Sequence, residues 1–121
     1  MLVRTVLLVE DYLPILTLFR EACEGSGFQV LTASSLAEGL ELSQTKPIDV
    51  AVIDQRLGDG SGLNLLARLQ LAAPSVRTIL LSGDLDPGTI EAARKLGVGA
   101  TIEKPVKSDR LVQVIEEVCR G

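Results

Sequence analysis

The sequence predicts an α/β fold: a doubly wound sheet of five parallel strands with helices on both faces. Three observations lead there. Five short apolar runs rich in Val, Ile and Leu alternate with five helical patterns, separated by turn residues, which is the order produced by repeated strand–helix units. Hydrophobic residues make up 46% of the chain and aromatics only 2%, so the core must be built from Leu, Val, Ile and Ala, as it is where parallel strands are covered on both faces. At 121 residues the chain reads as one domain over 1–121, long enough to bury roughly two-thirds of its unfolded surface and too short for a second catalytic domain.

Strands are expected over residues 4–9, 28–32, 49–53, 77–81 and 100–102, where apolar runs end at Gly, Pro or acidic residues. Between the first two, Leu13, Ile15, Leu16, Leu18, Phe19, Ala22 and Cys23 give a helix a wide apolar face. Pro14 is tolerated in its opening turn, and Gly25-Ser26-Gly27 ends it. The second helix, 35–45, starts at Ser34 or Ser35 with Glu38 placed to complete a capping box, and Pro47 closes it. The third, 62–72, presents Leu63, Leu65, Leu66 and Leu69. The fourth begins near Pro87, a favoured first-turn residue, and stops at Gly97. The last, 107–120, carries Leu111, Val112, Val114, Ile115, Val118 and Cys119 at helical spacing.

Composition excludes several functions. The net charge of −4 comes from 16 acids against 12 bases with no block of like charge, and aromatics are scarce, so direct nucleic-acid binding by this segment is not expected. The first apolar run is cut off by Glu10 and Asp11 far short of a signal or membrane span, so a soluble, cytoplasmic protein is expected. Cys23 and Cys119 each fall within a helical apolar pattern and read as small core residues of a reducing compartment. Histidine is absent, which removes His-based zinc sites and Ser-His or Cys-His nucleophiles. Carboxylates, hydroxyls, lysine or a hard metal ion must carry any chemistry.

Five polar positions stand at the C-terminal ends of apolar runs: Glu10 and Asp11 after Val9, Asp54 after Ile53, Ser82 after Leu81, and Lys104 after the 100–102 run. Open α/β sheets place ligand sites at that edge, where strand order reverses. Singly, an acidic pair after a strand reads as a solvated turn or a helix cap, Ser82 as a turn residue, and Lys104-Pro105 as an ordinary loop. Together, at successive strand ends, they point to one crevice. Two carboxylates about 4 Å apart repel by roughly 4 kcal/mol at an effective dielectric of 20, and a cation relieves that. With only oxygen ligands on offer, Mg2+ or Mn2+ fits best, and phosphoryl chemistry follows: Asp54 as nucleophile, Lys104 and Ser82 on the phosphoryl oxygens. The Gly58-Asp59-Gly60-Ser61-Gly62 stretch lacks dinucleotide-loop spacing and reads as a flexible turn into the third helix.

V-E-D at 9–11, V-I-D at 52–54 followed by R-L-G-D-G-S-G at 56–62, L-S-G at 81–83 and K-P at 104–105 together resemble the receiver domain of two-component response regulators, over essentially the whole chain. The resemblance implies a flavodoxin-like (βα)5 fold with strand order 2-1-3-4-5. It implies that Asp54 takes a phosphoryl group from a phosphohistidine on a sensor histidine kinase or histidine phosphotransfer protein. Asp11, Asp54 and the Arg56 backbone carbonyl would ligate Mg2+ (or Mn2+), with Glu10 acting mainly through water. Ser82 and Lys104 would bind the phosphoryl oxygens, Gly83 would leave the pocket open, and the Lys104-Pro105 bond would be cis. Phosphorylation would switch an output surface made of the fourth helix, fifth strand and fifth helix toward a downstream effector or a fused output domain. The family also forms homodimers through that face, for which no residue pattern here speaks.

Two positions depart from the family pattern. An aromatic commonly lies three residues before the lysine, and here that position is Thr101. Arg56 and Asp84 stand at rim positions that in this family tune the lifetime of the acyl phosphate, and their opposite charges either pair across the entrance or, equally, are solvated independently. Such a domain assists its own phosphorylation and dephosphorylation but is not an enzyme turning over a free substrate. The alternative suggested by Thr101 is a phosphorylation-independent protein-interaction module on the same scaffold. A metal-dependent phosphatase is disfavoured because no separate general acid or substrate pocket is evident.

Overall fold

In the computed structural model, which describes residues 3–120, the apolar runs form one five-stranded parallel sheet. Its strands are β1 (Thr5–Val9), β2 (Gln29–Ala33), β3 (Val50–Asp54), β4 (Arg77–Ser82) and β5 (Ala100–Glu103). They lie in the order β2-β1-β3-β4-β5, so the order reverses between β1 and β3. The helices are α1 (Leu13–Gly25), α2 (Leu36–Thr45), α3 (Gly62–Ala72), α4 (Pro87–Lys95) and α5 (Ser108–Arg120).

The inner strands are apolar at successive positions because both of their faces are covered. Val6 and Leu8 of β1, with Val50, Val52, Ile79 and Leu81, face α1 and α5 and pack on Leu16, Phe19, Leu111 and Ile115. The alternate residues Leu7, Val9, Ala51, Ile53 and Leu80 face the other side and pack on Leu36, Leu65, Leu66 and Leu69 from α2 and α3 and on Ala93 from α4. Each buried Leu or Ile of these layers contributes about 1.5–3 kcal/mol of transfer free energy. Register then sets the C-terminal edge: Val9 lies opposite Ile53 and Asp54 opposite Leu81, while Ser82 lies opposite Glu103. Glu10, Asp54 and Ser82 therefore leave the sheet on one edge.

Helix starts follow the sequence closely. Ser35 accepts from the Glu38 N–H at 3.1 Å, and the Glu38 carboxylate reaches back to the Ser34 N–H at 2.7 Å. Ser61 caps α3 through the Asn64 N–H, and Asp86 caps α4 through the Thr89 N–H. Each such cap stabilises by about 1 kcal/mol. Gly97, with φ of 76°, takes the left-handed conformation that ends the chain's fourth helix.

Two expectations need correction. The apolar face of α1 is narrower than its composition suggests: Leu16, Phe19 and Cys23 are buried, but Leu13 is 61% exposed and Leu18 50% exposed. Leu18 lies roughly 200° around the axis from Leu16, and Leu13 sits in the first turn at the edge of the layer. The glycine-rich stretch is not a free turn. Arg56–Leu57 and Gly60–Ser61 pair as a two-residue antiparallel ribbon, and Asp59 at its tip is bonded to α2. Cys23 and Cys119 are buried free thiols, and burial pushes Cys23 up to about 11 and raises Cys119 as well, so both are core residues. No helix among the described residues is long and apolar enough to cross a membrane.

Candidate functional site

The end of β1 delivers Glu10 into the interior, where its backbone N–H donates to the Ala33 carbonyl at 3.0 Å and continues the ladder by one residue. Its side chain is only 5% exposed. Asp54, the last residue of β3, is likewise buried, whereas Asp11 is exposed at the mouth. One oxygen from each of the three carboxylates lies within 4.8 Å of the others. They open into a crevice of about 500 Å³ that Arg56, Asp84 and Lys104 also line.

Lys104 arrives from the end of β5, across β4 from the acids. Its backbone N–H donates to the Ser82 carbonyl at 2.8 Å, which extends the β4–β5 pairing and aims the side chain back over the edge. The ammonium lies 2.6 Å from Asp54 Oδ1 and 3.3 Å from Glu10 Oε1. Burial pulls this lysine down, but hydrogen bonds and charges from Asp54 and Glu10 outweigh it and hold it above its usual range. Burial, and then the charge of Asp54, push Glu10 up to about 7, while Lys104 opposes that rise. One ammonium cannot offset three carboxylates. At 4.8 Å a pair of unit charges still repels by about 3 kcal/mol at an effective dielectric of 20. The all-oxygen donor set, with buried Glu10 and Asp54 and exposed Asp11 around an open crevice, fits a hard divalent cation that keeps water ligands.

Ser82 is at the expected strand end, buried, with its hydroxyl bonded within its own turn. Its hydroxyl accepts from the Asp84 N–H at 3.1 Å and donates to the Asp84 carbonyl at 3.2 Å, closing a tight turn. Gly83 lines the crevice, is exposed, and a Cβ there would meet nothing within 4 Å. The Lys104-Pro105 peptide bond is cis. Arg56 and Asp84 are exposed on the rim and, of the two arrangements open to them, take the separately solvated one: no salt bridge joins them within 4 Å among the described residues. A solvated pair there gains at most about 1 kcal/mol, too little to hold two exposed side chains in one geometry. Thr101 is half-buried in β5 opposite Leu80.

Three residues near the site were not singled out in the sequence as functional. Gln55, directly after Asp54, accepts from the Leu63 N–H through its side chain and from the Gly62 N–H through its carbonyl, tying the acceptor strand to the start of α3. Gly62 is there because a Cβ would stand 2.7 Å from the Asp54 carbonyl oxygen and 2.8 Å from Leu80. Asp59 bonds the N-terminus of α2. The Gly-x-Gly-x-Gly spacing was the available signal for a close backbone approach.

The description "Response regulator receiver domain" is that of the family whose model matches residues 6–116. The chain is 36% identical over 112 residues to the photosynthetic apparatus regulatory protein RegA of Cereibacter sphaeroides, covering 93% of this chain and 61% of RegA. It is 34% identical over 106 residues to the alginate biosynthesis transcriptional regulatory protein AlgB of Pseudomonas syringae pv. tomato, covering 88% of this chain and 24% of AlgB. The chain thus spans under two-thirds of RegA and about a quarter of AlgB. Among solved structures, a CheY-like response regulator receiver domain protein from Methanospirillum hungatei superposes with a TM-score of 0.94 at 26% identity, covering 98% of this chain and 95% of that one. The chain belongs to the response regulator receiver domain family of two-component signalling proteins. Phosphorylation and magnesium binding are typical of that family.

Proposed function

We propose that Asp54 is the phosphoacceptor of a two-component phosphorelay and that its modification switches the output surface of the domain. One observation carries this reading: a buried carboxylate at the end of a central strand, held 2.6 Å from a lysine ammonium and flanked by two further acids. The 121 residues contain no histidine, so the donor phosphohistidine lies outside them, on a sensor kinase or a phosphotransfer protein. Exposed Tyr12 at the crevice, with exposed Leu13 next to it in sequence, offers such a partner apolar surface.

In the transfer, an Asp54 carboxylate oxygen attacks phosphorus. The P–O bond forms as the P–N bond to the partner's imidazole breaks, and the imidazole leaves with its electron pair and takes up a proton. Glu10, Asp11, Asp54 and the Arg56 carbonyl would hold Mg2+, Glu10 largely through water. When bound, that ion supplies positive charge against the negative charge on the phosphoryl oxygens. Lys104 exchanges its contact with Asp54 for a phosphoryl oxygen. Ser82 gives up its two contacts with Asp84 to donate to another, and Gly83 leaves room for the group. That rotation moves the 82–84 turn and the start of α4. The shift reaches α4, β5 and α5 through backbone and packing, because Thr101 has no ring to swing inward.

The domain works as a cytoplasmic regulatory switch, not as an enzyme with a free substrate, and its output is a separate effector or a further segment of a longer regulator. RegA and AlgB, both longer than this chain, support that last point. Incubation with Mg2+ and a small acyl phosphate tests the reading. Wild type is expected to gain the mass of one phosphoryl group and Asp54→Asn none; an unchanged wild type, or an equal gain in the variant, would falsify it. Thr101 favours the second reading, a phosphorylation-independent interaction module, and that reading predicts the unchanged wild type.

A further inference from the structure

The N-terminus of α2 is capped twice, once from within and once from the site loop. Ser35 accepts from the Glu38 N–H and its carbonyl accepts from the Gly39 N–H at 3.0 Å, which is the ordinary local arrangement. The first two N–H groups, of Leu36 and Ala37, instead donate to Asp59, at 2.8 Å to Oδ1 and 3.1 Å to Oδ2. This carboxylate comes from 22 and 23 residues further along the chain. The two N–H groups, Leu36 first, hold its carboxyl below the usual range.

The ribbon that carries Asp59 is pressed between α2 and the acid cluster. Leu57 is buried in the same core layer as Leu36, and a Cβ at Gly60 would stand 2.8 Å from Leu36 Cδ1. On its other side, a Cβ at Gly58 would stand 3.8 Å from Asp11 Oδ2. The ribbon begins at Arg56, two residues after Asp54, in register with Ser61, the cap of α3. Its outer end has one polar anchor to α2 among the described residues, Asp59.

We infer that Asp59 is a positioning residue: by anchoring the 56–61 ribbon to the first turn of α2 it fixes Arg56 at the acid crevice, so that cation binding through the Arg56 carbonyl and the capping of α2 are linked. The inference rests on the metal reading proposed above. Groups that orient metal ligands without touching the metal set affinity by about 10- to 100-fold when removed. Linkage is reciprocal, so a cation that fixes the Arg56 carbonyl also tightens the Asp59 contact with α2.

Mg2+ titration of the 15N-labelled chain tests this, at about 0.15 M salt so that long-range charge effects are screened. Wild type is expected to show shifts at the Leu36 and Ala37 amides that track occupancy of the acid cluster. Asp59→Ala is expected to raise the Mg2+ Kd about 10-fold or more and to lose those shifts, and Asp59→Asn, which keeps one acceptor oxygen, to fall between. Ser35→Ala removes a cap of similar worth from the same turn without touching the ribbon, and is expected to leave the Kd within about twofold. Wild-type affinity in Asp59→Ala and Asp59→Asn, or an equal loss in Ser35→Ala, overturns the inference alone. If Asp59→Ala fails to fold, Asp59→Asn and the wild-type amide shifts decide. A wild type that takes up no Mg2+ overturns the metal reading and this inference with it.

Discussion

Lys104 Nζ lies 2.6 Å from Asp54 Oδ1, joining residues at the ends of two strands that are not neighbours in the sheet. The contact crosses the end of β4 and passes over Ser82, whose carbonyl holds the lysine backbone. Because the ammonium is already beside the carboxylate that would carry the phosphoryl group, no large movement of Lys104 is needed for it to neutralise the product.

Removing that ammonium isolates its chemical role. Lys104→Ala is expected to slow phosphorylation by a small donor by about 100-fold, the order found when one preorganised charge-stabilising donor is deleted, while leaving helix content unchanged. The initial rate of phosphoryl incorporation at saturating Mg2+ checks this. A rate within twofold or so of wild type would place the neutralising charge elsewhere.

Glu10 links the site to pH. Its folded-state value of about 7 lies above its ordinary 4.5, so between those values the native state binds more protons than the unfolded state. Stability of the metal-free domain is therefore expected to fall as pH rises from about 4.5 through about 7, and to level off above that, as far as this group is concerned. Glu10→Gln should flatten this dependence, and Mg2+ affinity should rise over the same window as the carboxylate ionises. Urea unfolding at several pH values in a chelator measures the first effect; a stability that rises across the window and is indifferent to Glu10→Gln would contradict it.

Gly62, against the Asp54 carbonyl, and Gly83, lining the crevice, should respond differently to a methyl group. At Gly62 a Cβ meets the Asp54 carbonyl oxygen at 2.7 Å, and a backbone atom cannot swing aside. Gly62→Ala is expected to cost about 1–3 kcal/mol and to disturb phosphorylation, since the displaced carbonyl belongs to the acceptor itself. Gly83→Ala, with nothing within 4 Å, is expected to change stability by less than about 0.5 kcal/mol. Denaturant midpoints of the two variants give the comparison.

The rim residues act separately. Arg56 and Asp84 make no ion pair, so Arg56→Ala and Asp84→Ala are expected to change the dephosphorylation rate by independent factors that multiply in the double variant. Loss of the phosphoryl group after donor removal, followed in all three variants, measures this. A double variant that behaves like either single one would show that the two side chains couple in the phosphorylated state.

How far the sequence foretold this arrangement depends on the range of the interactions involved. Val50–Asp54 was legible as a strand because burial on both faces demands an apolar run, whereas Asp54 by itself could equally have capped the following loop and was singled out only alongside the other polar strand ends. Glu10, Asp11 and Lys104, each ordinary alone, were legible as a group because they follow successive apolar runs, and register brought them to Asp54. The anchoring by Asp59 was not, since its partners Leu36 and Ala37 meet it only after α2 and the ribbon pack together. Hydrophobicity also overstated α1, because periodicity cannot show that the layer above Leu13 and Leu18 is missing. The Ser82 hydroxyl could turn either toward the acids or toward its own turn, and local hydrogen bonds to Asp84 decide it.

The most direct measurement is the identity of the modified residue. After reaction with a small acyl phosphate and Mg2+, borohydride reduction converts a phosphorylated aspartate to homoserine, which peptide mass mapping then locates. Homoserine at position 54, dependent on Mg2+ and absent from an unphosphorylated control, is the expected result. Homoserine at another carboxylate, or none anywhere with the donor consumed, would contradict the assignment of Asp54 as the phosphoacceptor.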